Sequence, residues 1–452
     1  MTDHITDPYR LDIQQIKAPP IHLLSRLKQL GPGFILSAII VGSGELIATT
    51  SLGAKAGFVT FWVILVSCGV KVAVQMELAK QAIITGETAM QSFQLLPGPR
   101  IGKVRWSVAG YFYLALIKMF QVGGIIGGVG IVLNMIFPWL SVTYWVLVMA
   151  VVVALMVYRG YYGYIEKFAL VLIALFTIFT FTSLYFIQAT PYAIHWSDIW
   201  SGLQGHLPNN TVWYAIAAFG ITGVGGEEII YYTYWCLEKG YARFTGPRDD
   251  SAGWETRAKG WIKVMKLDAL LAMVFYTGVT ASFYLLGAAV LHQRGEIPEG
   301  FQMIEILSGM YTETVGPGAK LIFLVGAFIV LFSTLFGALA AWARQYSDVF
   351  GQYGWINFFD MEQRRRSIAW LSWIFPLTWA LLFLTIKMPV LMVMSGGIAG
   401  SLMLLIVVYA AIHFRLRRTP DAFRPSRGYD IYLILSILGI LGVSAYGIFQ
   451  LL

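Results

Sequence analysis

Gly42-Ser43-Gly44-Glu45 and Gly223-Val224-Gly225-Gly226-Glu227-Glu228 decide how this chain reads. Each interrupts an apolar run near its middle, and each ends in carboxylate. A glycine costs about 1 kcal/mol against alanine inside a helix, so both stretches predict unwound backbone. Unwinding frees carbonyls, which are costly in lipid unless they line a cavity or hold an ion. A glutamate at that depth costs at least ~2.5 kcal/mol and needs a partner. The two stretches sit in the first and sixth apolar runs. Five is odd, so the second copy is inverted relative to the first, the pattern of transporters whose broken helices meet at the bilayer midplane.

The runs themselves are eleven: Leu30–Leu52, Phe58–Lys80, Ser107–Phe137, Leu140–Tyr158, Tyr164–Ile187, Thr211–Cys236, Leu267–His292, Ala319–Arg344, Ser367–Ile386, Pro389–Phe414 and Ile431–Leu451. Most are near the 20 residues that cross ~30 Å of hydrocarbon. Only 12% of the 452 residues are charged, about half the share in a soluble domain. The reading is an all-α integral membrane protein of 11 transmembrane helices, a 5+5 inverted repeat with helices 1 and 6 discontinuous. Its parts are a cytoplasmic tail (1–29), a first five-helix repeat (30–190), a second (208–414) and an eleventh helix (430–452).

The net charge of +8 does not indicate nucleic-acid binding, because the basic residues lie in the loops. With the N-terminus in the cytoplasm, inner segments hold 25 Lys and Arg and outer segments four. That asymmetry predicts a multi-pass protein of the cell membrane, with its C-terminus on the outer side. The basic stretch 238–266 reads as a loop on the inner surface. Cys68 and Cys236 fall within apolar runs and imply no disulfide. There is no Walker A motif, nucleophile elbow or paired-histidine metal motif, so neither ATP hydrolysis nor an enzyme is indicated. No cofactor is expected. The implied partners are the bilayer and a small cation or solute.

Freed carbonyls beside carboxylates make a hard, oxygen-rich cation site. Its candidates are Gly42, Glu45, Gly223, Glu227 and Glu228, with Glu45 and Glu227 as metal ligands. Lys71, Glu77, Lys118, Glu166 and Asp268 are coupling or gating candidates. Lys71 and Glu77 are six apart and face different sides of one helix. Lys118 has the alternative of neutralising a glutamate from a neighbouring helix, and the blander one of a structural pair. Glu166 opens the fifth span, and Asp268 reads as a charge at the start of the seventh. The glycines at 123, 124, 127 and 128 read as a packing face.

Gly31-Pro32-Gly33-Phe34, Thr85-Gly86-Glu87, Gly163-Tyr164-Ile165-Glu166-Lys167-Phe168 and Gly220-Ile221-Thr222-Gly223 resemble motifs of the Nramp divalent-metal transporters. The resemblance covers about residues 30–450. It implies a LeuT-like fold and alternating access around helices 1 and 6. The family's first-helix Asp-Pro-Gly-Asn becomes Gly42-Ser43-Gly44-Glu45 here. Its sixth-helix Met-Pro-His falls on Glu227, Glu228 and Ile230. Its third-helix Asp falls near Val122, and its tenth-helix Gln near Ser395-Gly396-Gly397. Replacing a thioether by carboxylate shifts the expectation toward a hard divalent cation of the Mg²⁺ or Mn²⁺ class. Two other readings stay open. One is a transporter of an amine-bearing organic solute, which a large aromatic cavity favours over a tight oxygen cage. The other is a non-transporting membrane receptor.

Overall fold

A computed structural model describes residues 7–42, 44–158, 162–249, 251–424 and 426–451; the side chains of 162–170, 172–173, 447–448 and 450–451 lie outside that description. The principal helices are α1a (Pro32–Ile40) and α1b (Gly44–Ala56), α2 (Phe61–Thr85), α3 (Trp106–Ile136), α4 (Val142–Tyr158) and α5 (Tyr162–Phe186). They continue with α6a (Val212–Ile221) and α6b (Gly226–Lys239), α7 (Ala252–Leu286), α8 (Ala319–Tyr353), α9 (Met361–Ile386), α10 (Pro389–His413) and α11 (Arg427–Leu451). Among the described residues seven helices are long and apolar enough to cross a membrane, and the pair α1a–α1b, bent by 43°, makes an eighth.

Both expected breaks are present, and crowding explains why glycine stands at them. At Gly42 an added Cβ would lie 1.6 Å from Thr334 Oγ1 on α8. At Gly44 it would lie 2.4 Å from Cγ2 of Ile221, the last residue of α6a, so the two breaks touch. α1b restarts in a π-helical turn over Gly44–Thr49. The sixth-helix break turns at Gly223, whose φ of +63° is left-handed and strains any residue with a Cβ. Gly220 is equally constrained: a Cβ there would lie 1.7 Å from the Gly397 carbonyl of α10.

The stripe at Gly123, Gly124 and Gly127 packs as expected, against Met392 and Pro389 of α10 and Phe383 of α9. Helices five apart also pack on each other: α1 on α6, α2 on α7, α3 on α8 and α4 on α9.

Two expectations change. The stretch 238–266 is largely helical: Tyr241–Thr245 forms one turn, and α7 begins at Ala252 behind a Ser251 cap. The charges that suggested a loop sit on a helix running beyond the apolar segment. Asp268 therefore lies inside α7 rather than at its start.

Residues 7–19 dock beneath the bundle. Tyr9 is buried; its hydroxyl donates to Glu238 Oε1 of α6b (2.5 Å), which also accepts from Arg344 Nε of α8 (2.6 Å). Asp7 pairs with Arg364 of α9 (2.9 Å), and Trp261 Nε1 of α7 donates to the Lys17 carbonyl (3.1 Å).

Candidate substrate site

Glu45 stands at the start of α1b and is fully buried. Its Oε2 accepts the Gly42 N–H (3.4 Å) and its Oε1 the Gly223 N–H (3.4 Å) and the Thr280 hydroxyl (3.1 Å). One carboxylate thus ties the first break to the sixth and both to α7. The helix N-termini created by the breaks favour negative charge there.

Glu227 and Glu228 occupy the first turn of α6b. Lys118 of α3 reaches them both, with Nζ 2.9 Å from Glu227 Oε2 and 3.8 Å from Glu228 Oε1. These three residues line a cavity of about 30 Å³ together with Gln121, Gly44 and Tyr231. That is room for a water or two or a single ion. Glu227 Oε1, Glu228 Oε2 and Gln121 Oε1 are buried and have no hydrogen-bond partner. An orphaned buried acceptor costs about 1–3 kcal/mol, and the three residues that carry these oxygens all line the one cavity.

Lys71 of α2 takes a different place. Its Nζ donates to the carbonyls of Phe219 (2.7 Å) and Thr222 (2.6 Å) at the end of α6a. It does not pair with Glu77, as the spacing predicted; Glu77 pairs with Lys80 (2.5 Å) toward the far end of α2.

Asp268 caps α1a instead of α7. Its carboxylate accepts the N–H groups of Gly31 (2.9 Å) and Gly33 (2.5 Å) and the Tyr232 hydroxyl (2.9 Å). The initiating Gly31-Pro32-Gly33 offers no side-chain cap of its own, so α7 supplies one.

The structure thus brings Glu227, Glu228 and Lys118 together. Glu45, Gly223 and Gly42 form an adjoining set, and Lys71 stands behind the α6a terminus. Glu77 and Asp268 lie elsewhere, and the side chain of Glu166 is outside the described residues. Among the described residues no three His, Cys, Asp or Glu side chains cluster closely enough to hold a metal ion. Gln121 and Thr280 were not singled out from sequence. Gln121 had a signal: it is three residues from Lys118 in an otherwise apolar helix, hence on the same face.

Broken helices meeting over a small buried polar cavity define a membrane protein of the LeuT-like class, and solved structures agree. A mutant of the manganese transporter of Eremococcus coleocola superposes with a TM-score of 0.56 at 14% identity, covering 98% of this chain and 99% of that one. Mhp1, a nucleobase-cation-symport-1 family transporter in a closed conformation with bromovinylhydantoin bound, gives 0.56 at 14% identity over 97% of this chain and 95% of that one. MhsT in complex with L-phenylalanine gives 0.55 at 15% identity over 95% and 100%. Residues 33–450 match the family described as natural resistance-associated macrophage protein-like, and the chain belongs to this Nramp family. It is 24% identical over 299 residues to the divalent metal cation transporter MntH of Caldanaerobacter subterraneus subsp. tengcongensis, and 26% identical over 303 residues to MntH of Mycobacterium tuberculosis. The first match covers 65% of this chain and 66% of the relative; the second covers 66% and 64%. The chain therefore spans just under two thirds of those relatives' lengths.

Proposed function

We propose that this protein is a secondary transporter that moves a hard divalent cation of the Mg²⁺ or Mn²⁺ class by alternating access. The observation that carries this reading is one cavity of ion size lined by Glu227, Glu228 and Gln121, each of which has a buried oxygen without a hydrogen-bond partner. The donors are carboxylate and amide oxygens with no sulfur among them, which suits hard cations. Similarity to the MntH divalent metal cation transporters and to the manganese transporter of E. coleocola supports a metal cargo.

Lys118 acts here as a resident counter-ion. It keeps two adjacent carboxylates from repelling each other while no cation is bound. An entering divalent ion brings twice the charge to the same oxygens and displaces the ammonium. Glu227 and Glu228 are then the principal ligands. Glu45 acts as the clasp between the two breaks, through which occupancy reaches helix 1, rather than as a metal ligand.

The transmembrane reading is eleven spans in two inverted repeats of five, with the N-terminus inside. The packing of helices five apart supports it, since an inverted pair meets along its pseudo-two-fold axis. The alternative of an amine-bearing organic solute finds less support, because about 30 Å³ is too small for one.

Uptake of Mn²⁺, Mg²⁺ and Ca²⁺ into proteoliposomes loaded with an ion-sensitive dye tests the proposal. Losing one ligand is expected to weaken binding at least about tenfold, or about 1.4 kcal/mol. Glu227→Gln should therefore abolish uptake at low cation concentration, and Gln121→Ala should raise the half-saturating concentration. Normal uptake by the Glu227→Gln, Glu228→Gln double variant would sink the assignment.

A further inference from the structure

The carbonyl of Phe219 lies in the last turn of α6a, where a continuing helix would give it the Gly223 N–H. That N–H goes to Glu45 instead (3.4 Å). The Thr222 carbonyl follows, in extended backbone outside either half-helix. Both carbonyls turn toward α2. There Lys71 Nζ lies 2.7 and 2.6 Å from them and 5.0 Å from the centroid of the Phe219 ring. Ser67, one turn earlier on α2, adds its hydroxyl, 3.2 Å from each carbonyl and 2.9 Å from Thr222 Oγ1. Lys71 has no exposed surface, and among the described residues no carboxylate lies within 4 Å of its ammonium.

Two carbonyls at the negative end of a half-helix therefore share one ammonium, and the Ser67 hydroxyl donates to the same two oxygens from beside it. Oxygen donors at the C-terminal end of a broken helix are the surroundings that a free monovalent cation takes in transporters of this architecture. A buried lysine with no carboxylate in contact is costly, and these oxygens, with the Phe219 ring, are its direct partners. The alternative view, a snorkelling lysine, fails because Nζ points to the backbone of the break and not to an interface.

We propose that Lys71 is a tethered cation that permanently holds these two freed carbonyls, in the place of a free Na⁺ or K⁺. The α6a terminus is then neutralised by the chain itself, and the protein works without an alkali-cation requirement. This holds whichever substrate crosses at Glu227 and Glu228, so it is tested separately from the divalent reading.

The experiment compares thermal unfolding of the purified full-length protein in NaCl, KCl and choline chloride at equal ionic strength, for wild type, Lys71→Ala and Lys71→Met. Wild type should unfold at one temperature in all three salts. Lys71→Ala should be less stable in choline and recover with added Na⁺ or K⁺ in a saturable way. The recovery should reach a few degrees, on the order expected of a ligand far above its dissociation constant. Lys71→Met, which fills the space without charge, should lose stability and show no recovery. A folded, monodisperse Lys71→Ala that responds to alkali cations no more than wild type overturns the proposal. So does a wild type stabilised by Na⁺ or K⁺ over choline, a measurement that stands even where Lys71→Ala cannot be purified. Divalent uptake by the Glu227 variants has no bearing on either outcome.

Discussion

Single buried charges do most of the positioning in this protein, and Asp268 shows how. It stands within α7, yet its three hydrogen bonds all serve other elements: Gly31 and Gly33 at the start of α1a, and Tyr232 of α6b. Hydrogen bonds to a charged group contribute about 1.5–3 kcal/mol, and the donors left behind would be orphaned. Asp268→Ala should therefore lower stability by about 3 kcal/mol or more, and Tyr232→Phe by about 1.5–3 kcal/mol. Unfolding followed by tryptophan fluorescence in detergent measures both. An unchanged midpoint for Asp268→Ala would show that α1a does not depend on this cap. Glu45 works in the same manner between the two breaks. Its carboxylate has donors from both, so it holds their relative position as well as their charge balance.

At the scale of elements, the docked tail is the feature with the clearest consequence. Tyr9, Asp7 and Lys17 connect α6b, α7, α8 and α9 at one end of the bundle. Burial, and after it the neighbouring Glu238 carboxylate, holds the Tyr9 hydroxyl well above its ordinary range. A raised value means the contribution is intact below about pH 10, the free tyrosine range, and is lost as pH rises further. The tail thus stays docked across neutral pH. Cys236 on α6b is a native reporter, being buried and one of two cysteines. Tyr9→Phe removes one hydrogen bond to a carboxylate, about 1.5–3 kcal/mol, which is about tenfold or more in the open population. In a Cys68→Ser background, maleimide labelling of Cys236 should speed up by about that factor with Tyr9→Phe. It should speed up further when residues 1–19 are deleted. Equal labelling rates in all three proteins would mean that the tail does not hold this end closed.

The whole molecule is organised by the bilayer. In the proposed eleven-span reading, 25 Lys and Arg fall on the assigned inner side and four on the outer. Such a bias sets orientation because Lys and Arg resist translocation. An odd count of eleven, as proposed, puts the two ends on opposite sides. Alkaline phosphatase forms its disulfides only in an oxidising compartment outside the cytoplasm. Fused at the C-terminus it should be active, and fused within 345–365 it should be inactive. The reverse pattern would invert the assignment, and equal activity would remove one span from the count.

Much of this was legible in the sequence. Apolar runs of membrane length, paired Gly-rich interruptions and the distribution of Lys and Arg are local properties, and lipid as solvent admits few folds for them. They led to the broken helices and to the stretch containing Glu227 and Glu228. The partners were not legible. Lys118 lies over a hundred residues from Glu227, Asp268 caps a helix more than two hundred residues upstream, and Lys71 meets carbonyls that exist as free acceptors only because the backbone breaks. Gln121 looked like one polar residue among glycines until its helix faced α6b. A sequence states which charges are buried, because hydrophobic length is additive along the chain. Which charge neutralises which depends on distances of 3 Å between helices remote in sequence, and only tertiary packing sets those. For this protein that packing turned two candidate gating lysines into the occupants of two oxygen-lined places at the same helix break.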